Sequence, residues 1–321
     1  MLDVGIIGLG PEWERRYRPA LARLRHRLRV RSVYAPVITH AEQVSAELDC
    51  DVSPGLLALI ERDDVRALLV LDAAWYAGIP ARFACQAGKP AFLAGRLMNR
   101  LPMAEELMQR AAETGVTLMP DFSHRYNPGT SRVRELIASR LGRPLEIVID
   151  AAPSNLVPDG EDAPAVTAHD LLASAIDWCT NLVGTVPGVV RAARVSSARP
   201  GFSSEIQIEF RRPAAGGDAA RATVRLLDGI SETADGECEG TPISMAAQVT
   251  CARGVVLMQG PRQVTWEHNG ERLVESLVAD RPDVEVMLDH FSRRVVGGLI
   301  PVPTLEDLCR AYQLVDTALN S

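Results

Sequence analysis

The chain has 321 residues, of which 47% are apolar and 23% charged, and a net charge of −7 spread without long blocks. That length holds two domains with a buried core. The charge pattern offers no footprint for nucleic acid or an anionic membrane surface, and no apolar run reaches the roughly 18–20 residues of a membrane span.

Asp3 and two early glycines interrupt any signal-peptide core, and the six cysteines are scattered without a C-x-x-C pair. Reduced thiols and a cytoplasmic location are therefore expected. Of the 34 basic residues only Lys89 is a lysine, so chemistry that needs an amine has Lys89 or the N-terminus to draw on.

The first 120 or so residues alternate strand-like and helix-like patterns as repeated βα units do. Val4–Ile7 reads as a buried strand, and Arg15–Arg27 as an amphipathic helix with Leu21, Leu24 and Leu28 on one face. Val30–Tyr34 reads as the second strand, followed by a helix over "THAEQVSAEL" with Thr39 as N-cap. A short helix in "SPGLLALIERDD" precedes the apolar strand "VRALLVLD". The helix "GIPARFACQAG" then ends at Gly88. The strand "PAFLA", the helix "PMAEELMQRAAETG" and the strand "VTLMPD" complete this part.

After Arg125 the pattern changes. Helices are expected over "PGTSRVRELIASRLG" and "AHDLLASAIDWCTNLVG", with the strand "PLEIVIDAA" between them. Long alternating stretches follow ("VVRAARVSSAR", "SSEIQIEFRR", "ARATVRLLDG", "SMAAQVTCARGVVLMQG", "RQVTWEHNGERLVES"), predicting five or six mostly antiparallel strands. "RRPAAGGDAARA" reads as a hairpin loop, and two helices close the chain. The expected architecture is an N-terminal doubly wound parallel α/β domain over residues 1–122. An α+β domain with an open, mostly antiparallel sheet follows over 123–321.

The first strand runs into Gly8-Leu9-Gly10, as the turn of a dinucleotide site does: one glycine for the tight turn, one for close backbone approach to a pyrophosphate. The third small residue of G-x-G-x-x-G falls at Trp13, and Glu12 and Glu14 add negative charge, with Arg15 and Arg16 in reach. At the end of the second strand, where a carboxylate would take the ribose hydroxyls, stands Ala35. Gly8, Leu9, Gly10, Trp13, Ala35 and Asp72 form the candidate cofactor-binding set.

The glycine turn, "AGKPAFLAGRL", "GVTLMPDFSHRYNP", "HDLLASAIDW" and the tail "PVPTLEDLCRAYQLVDTALNS" resemble the glucose–fructose oxidoreductase/inositol dehydrogenase (Gfo/Idh/MocA) family along nearly the whole chain. The resemblance implies NAD or NADP as cofactor, a sugar-like or polyol ligand, and a homo-oligomer formed through the C-terminal sheet, where Val249, Val255 and Leu257 alternate; the sequence shows no metal-ligand spacing, so no metal is expected. It also implies a Glu-Lys-Pro triplet, whose places hold Ala94, Gly95 and Arg96. A helix with aspartate and, four residues on, histidine holds Asp170 and Ser174 instead. Lys89 lies five or six residues before the triplet, close to 20 Å along a strand.

Asp170, His169 and Asp177 are the catalytic candidates; Arg96, His124, Arg125 and Ser174 are the substrate candidates. Loss of one acid/base group costs about 10²–10⁴-fold in rate, and two are missing. The sequence therefore favours a relative without standard hydride transfer that binds a ligand or serves as a partner subunit. Two alternatives stay open: an NAD(P)-dependent oxidoreductase with a rearranged site, and a non-redox acid/base enzyme using Asp170 and Asp177.

Overall fold

The structure, a computed structural model, describes residues 1–72, 76, 78–94, 101–153, 167–193, 202–211, 218–227 and 243–320. Backbone contacts divide the chain into two compact units, Met1–Phe122 with Val284–Cys309, and Ser123–Asp283 with Arg310–Ser321.

In the first unit β1 (Leu2–Ile7) leads through the glycine turn into a π-helical turn, Trp13–Tyr17, which continues as α1 (Arg18–Arg23). Then come β2 (Leu28–Tyr34), α2 (Ile38–Leu48), β3 (Asp51–Val52), α3 (Leu56–Ile60), β4 (Ala67–Val70), α4 (Ile79–Gln86), β5 (Ala91–Leu93), α5 (Leu101–Thr114) and β6 (Leu118–Pro120). The strands form one parallel sheet in the order β3-β2-β1-β4-β5-β6. Every residue of β4 is buried, because crossover helices cover both faces of such a sheet. Leu28 belongs to β2, not to the first helix: it pairs with Leu2, so the helix stops earlier than its leucine spacing suggests. Lys89 enters β5, and its amine donates to the Arg62 carbonyl at 2.6 Å.

The second unit begins with α6 (Ser123–Tyr126), α7 (Pro128–Leu136) and β7 (Pro144–Pro153), followed by α8 (Ala168–Val183). Strands β8 (Pro187–Ala193), β9 (Phe202–Phe210), β10 (Arg221–Leu227), β11 (Ile243–Cys251), β12 (Gly254–Gln259), β13 (Gln263–His268) and β14 (Glu271–Ser276) complete it. Helices α9 (Asp283–Val295) and α10 (Leu305–Leu319) end the chain. The sheet order is β14-β13-β12-β11-β7-β10-β9-β8, antiparallel except where β10 lies parallel to β7.

Among the described residues seven strands follow α8 where five or six were expected, because two of the alternating stretches each fold as a hairpin. Asn269 and Gly270 both take positive φ, the pair a two-residue hairpin turn requires. The opposite face from the core carries Val255 and Leu257, but Val249 pairs with Val256 on the buried face and is 1% exposed. Gly254 lies so close to β13 that a Cβ there would collide with the Glu267 carbonyl. Gly254→Ala is expected to destabilise the protein by about 1–3 kcal/mol, read from urea unfolding; an unchanged midpoint would mean the β12–β13 pairing is looser than described.

Candidate functional site

The glycine turn is set by local geometry. Gly8 and Gly10 have φ of +70° and +63°, in the left-handed region. The Gly8 N–H donates to the Tyr34 carbonyl at 2.8 Å, tying the turn to the end of β2. A Cβ on Gly10 would collide with the Leu71 carbonyl, just past β4. The turn thus sits where the sheet order reverses around β1, the crevice in which open α/β sheets bind ligands. Leu9 and Gly10 are half-buried there.

Trp13 opens the π-helical turn that follows the glycines. The π-helical turn carries it inward, where it is 4% exposed and its indole N–H has no partner. Arg16 is also drawn inside: it donates to Glu12 at 2.7 Å and to Asp121 at 3.3 Å, and Tyr17 donates to Asp121 at 2.9 Å. The Glu12 charge is thereby neutralised by Arg16, while Arg15 is exposed. Pro11, just before the Glu12 cap of the π-helical turn, carries no N–H.

Ala35 is buried at the end of β2 and offers no side-chain acceptor. Two tyrosines stand beside it instead. The rings of Tyr34 and Tyr76 lie 6.3 Å apart, and a Cβ on Gly8 would sit 2.9 Å from the Tyr76 ring and 2.9 Å from the Cβ of Asp72. The Tyr76 hydroxyl is buried without a hydrogen-bond partner. No motif in the sequence singles out these tyrosines. The geometry fits a dinucleotide at the turn: a cradle that only glycines leave open, flanked by a buried phenol lacking a partner. Gly95 and Arg96 lie outside the described residues.

In the second unit α6 presents His124 and Arg125 to one carboxylate. His124 Nε2 lies 2.6 Å from Asp177 Oδ2, and Arg125 Nε donates to the same oxygen at 2.7 Å while its Nη2 donates to Oδ1. The Asp177 side chain is only 4% exposed. Burial alone would raise its pKa, but the bonds from Arg125 and His124 outweigh that and hold it below the usual carboxylate value. The backbone beneath His124 is fixed as well: its carbonyl accepts from Thr130 Oγ1 at 2.7 Å, and that hydroxyl accepts from Trp178 Nε1 at 2.8 Å. Asn127 caps α7 by accepting from the Thr130 N–H. An ionised Asp177 places the proton on His124 Nε2, an orientation used where histidine gives and takes protons.

Asp170, Ser174 and Asp177 share one face of α8, at spacings of four and three residues. Asp170 has other work: it completes a capping box with Thr167 and accepts from the Tyr312 hydroxyl at 2.6 Å. His169 pairs with Asp316 at 3.1 Å and meets the Tyr312 ring edge-on. Ser174 is buried with its hydroxyl unpartnered. Among the described residues no three His, Cys, Asp or Glu side chains are grouped to hold a metal ion, and no helix is long and apolar enough to cross a membrane.

No protein-family model and no curated sequence matches the chain. Solved structures do. An oxidoreductase from Agrobacterium radiobacter, in complex with NAD+, L-tartaric acid and magnesium, superposes with TM-score 0.77 at 14% identity, covering 100% of this chain and 96% of that one. The chain has the Gfo/Idh/MocA fold. UDP-N-acetylglucosamine 3-dehydrogenase from Acidithiobacillus ferrooxidans gives 0.72 at 17% identity, covering 99% and 97%. A putative myo-inositol dehydrogenase from Sinorhizobium meliloti 1021 gives 0.73 at 16%, covering 100% and 97%. In this fold the glycine turn belongs to the first unit and the His124–Asp177–Arg125 cluster to the second.

Proposed function

We propose that the chain is a divergent Gfo/Idh/MocA-type NAD(P)-dependent oxidoreductase acting on a sugar-like or polyol substrate, with proton transfer assigned to His124. The observation that carries this reading is the pairing of His124 with a buried, Arg125-clamped Asp177. It provides an acid/base group in a sequence that has Gly95 and Ser174 where the resemblance implies lysine and histidine.

The Gly8–Gly10 backbone would hold the dinucleotide phosphates. A bound nicotinamide would supply the hydride donor or acceptor. His124 takes the proton of a substrate hydroxyl or returns it to a carbonyl. Asp177 orients the imidazole, and Arg125 keeps Asp177 ionised. Asp170, held by its cap and Tyr312, is poorly placed to exchange protons, which weakens the reading as a non-redox enzyme using Asp170 and Asp177.

A second reading, a relative that binds a ligand without turnover, draws on Pro11, which leaves the loop after Gly10 one N–H short. A cytoplasmic location draws on the scattered cysteines, none in a C-x-x-C pair, and a homo-oligomer joined through the C-terminal sheet on the resemblance, with Val255 and Leu257 on the face away from the core.

Titration with NADH and NADPH, followed by tryptophan fluorescence, is expected to show saturable micromolar binding; no binding at millimolar cofactor overturns the reading. In a panel of polyols and sugars with NAD+ or NADP+, followed by nicotinamide absorbance, His124→Gln is expected to lower turnover about 10²–10⁴-fold and leave cofactor binding intact. Turnover equal to that of the unsubstituted protein would remove His124 from the chemistry. Cofactor binding without turnover on any substrate favours the second reading.

A further inference from the structure

Three features of the first unit, apart from the proton-handling cluster, meet at one place. Tyr76 lies against Gly8, close enough that a Cβ there would sit 2.9 Å from its ring. It is anchored by its own backbone, its N–H donating to the Asp72 carbonyl at 3.4 Å and its carbonyl accepting from Ile79 N at 3.0 Å. Its ring meets that of Tyr34, the last residue of β2. Tyr76 therefore bridges the glycine turn and the end of β2, where a dinucleotide fold reads the adenosine ribose. At that strand end the side chain that normally does the reading is reduced to the buried methyl of Ala35.

The Tyr76 hydroxyl is buried and has no partner. A folded protein rarely leaves such a group unmatched, so an unpaired phenol at a cradle marks where a ligand group belongs.

We infer that Tyr76 is the residue that recognises the adenosine ribose, through a neutral phenol in place of a carboxylate, and that the site consequently accepts NADH and NADPH alike. The inference rests on the oxidoreductase reading above and deepens it. A carboxylate at the strand end selects NADH by hydrogen-bonding the ribose diol and repelling a 2′-phosphate; a nearby arginine selects NADPH by pairing with that phosphate. Ala35 does neither. A phenol both donates and accepts, so Tyr76 can bond a ribose hydroxyl or a 2′-phosphate oxygen without a charge preference.

The test is calorimetric titration of the full chain with NADH and with NADPH, repeated on Tyr76→Phe and Ala35→Asp, with the melting temperature of each free protein. For the unsubstituted chain the two dissociation constants are expected to agree within about tenfold. Tyr76→Phe is expected to weaken both about fivefold, the effect of one neutral hydrogen bond. Its free form should melt at or above the temperature of the unsubstituted chain, since the hydroxyl removed has no protein partner. Ala35→Asp is expected to leave NADH binding near its starting value and weaken NADPH at least tenfold, by repulsion of the 2′-phosphate.

A preference above tenfold for either cofactor in the unsubstituted chain overturns the inference, as does Tyr76→Phe binding both as tightly as before. A lowered melting temperature for free Tyr76→Phe also overturns it, by showing that the hydroxyl serves the fold. These failures leave dinucleotide binding standing, whereas a chain that binds neither cofactor overturns the oxidoreductase reading as well.

Discussion

Asp177→Asn is expected to destabilise the protein by about 3–5 kcal/mol at pH 7, read from urea unfolding. The substitution removes a buried carboxylate that Arg125 and His124 share, so the Arg125 guanidinium, itself only 14% exposed, loses the Asp177 charge. The pH dependence carries a sign. Asp177 has its pKa lowered in the fold, so its contribution is fully present above the unfolded carboxylate value and lost as pH falls through the lower folded value. The stability gap between the unsubstituted chain and Asp177→Asn should therefore hold level through the weakly acidic range and close only below about pH 4. A gap under about 1 kcal/mol at pH 7 would mean the cluster behaves like a solvent-screened surface pair, and the case for an oriented His124 would fall with it.

Gly10→Val is expected to be nearly as severe. The backbone at Gly10 has φ of +63°, which costs an L-residue about 1–2 kcal/mol. The added side chain would meet the Leu71 backbone carbonyl, just past β4, and such overpacking costs about 1–3 kcal/mol more. The sum is about 2–5 kcal/mol, with loss of NADH and NADPH binding at the turn. Gly88→Val is the matched comparison, because Gly88 has φ of +66° and nothing within 4 Å of a Cβ. It should cost the strain alone and leave cofactor binding in place. Equal destabilisation by the two substitutions would show that the turn is not pressed against the end of β4.

Much of the framework was legible along the chain because it depends on near neighbours. The Gly8–Gly10 turn, the buried run Ala67–Val70, the glycine stop at Gly88 and the alternation of β9 and β10 each follow from backbone freedom or from period-2 and period-3.6 patterning. Patterning failed where it could not see a partner. Leu28 looked like the next turn of a helix and became the first residue of β2, because Leu2 was waiting beside it. The stretch "RQVTWEHNGERLVES" read as one strand and folds back at Asn269-Gly270, although the Asn-Gly pair is itself a turn signal. Residues 284–309 join the first unit, where Phe291 packs against Phe92 at 6.1 Å, a choice no local pattern encodes.

The candidate site divides along the same line. By itself the sequence determined the glycine turn and the change from parallel βα units to a mostly antiparallel sheet, since each is a matter of residue type at a local spacing. It presented Asp170, His169 and Asp177 as catalytic candidates and His124 and Arg125 as substrate candidates. Only the tertiary structure sorted them, tying Asp170 to a helix cap and Tyr312 while bringing His124 and Arg125 onto Asp177 from 53 and 52 residues away. Tyr76 likewise became visible only when β2 and β4 closed on either side of β1 and set its ring against Gly8. The physical reason is common to both cases. Backbone conformation is settled within a few residues, but the partner of a buried polar group is whichever element packing brings within hydrogen-bond distance.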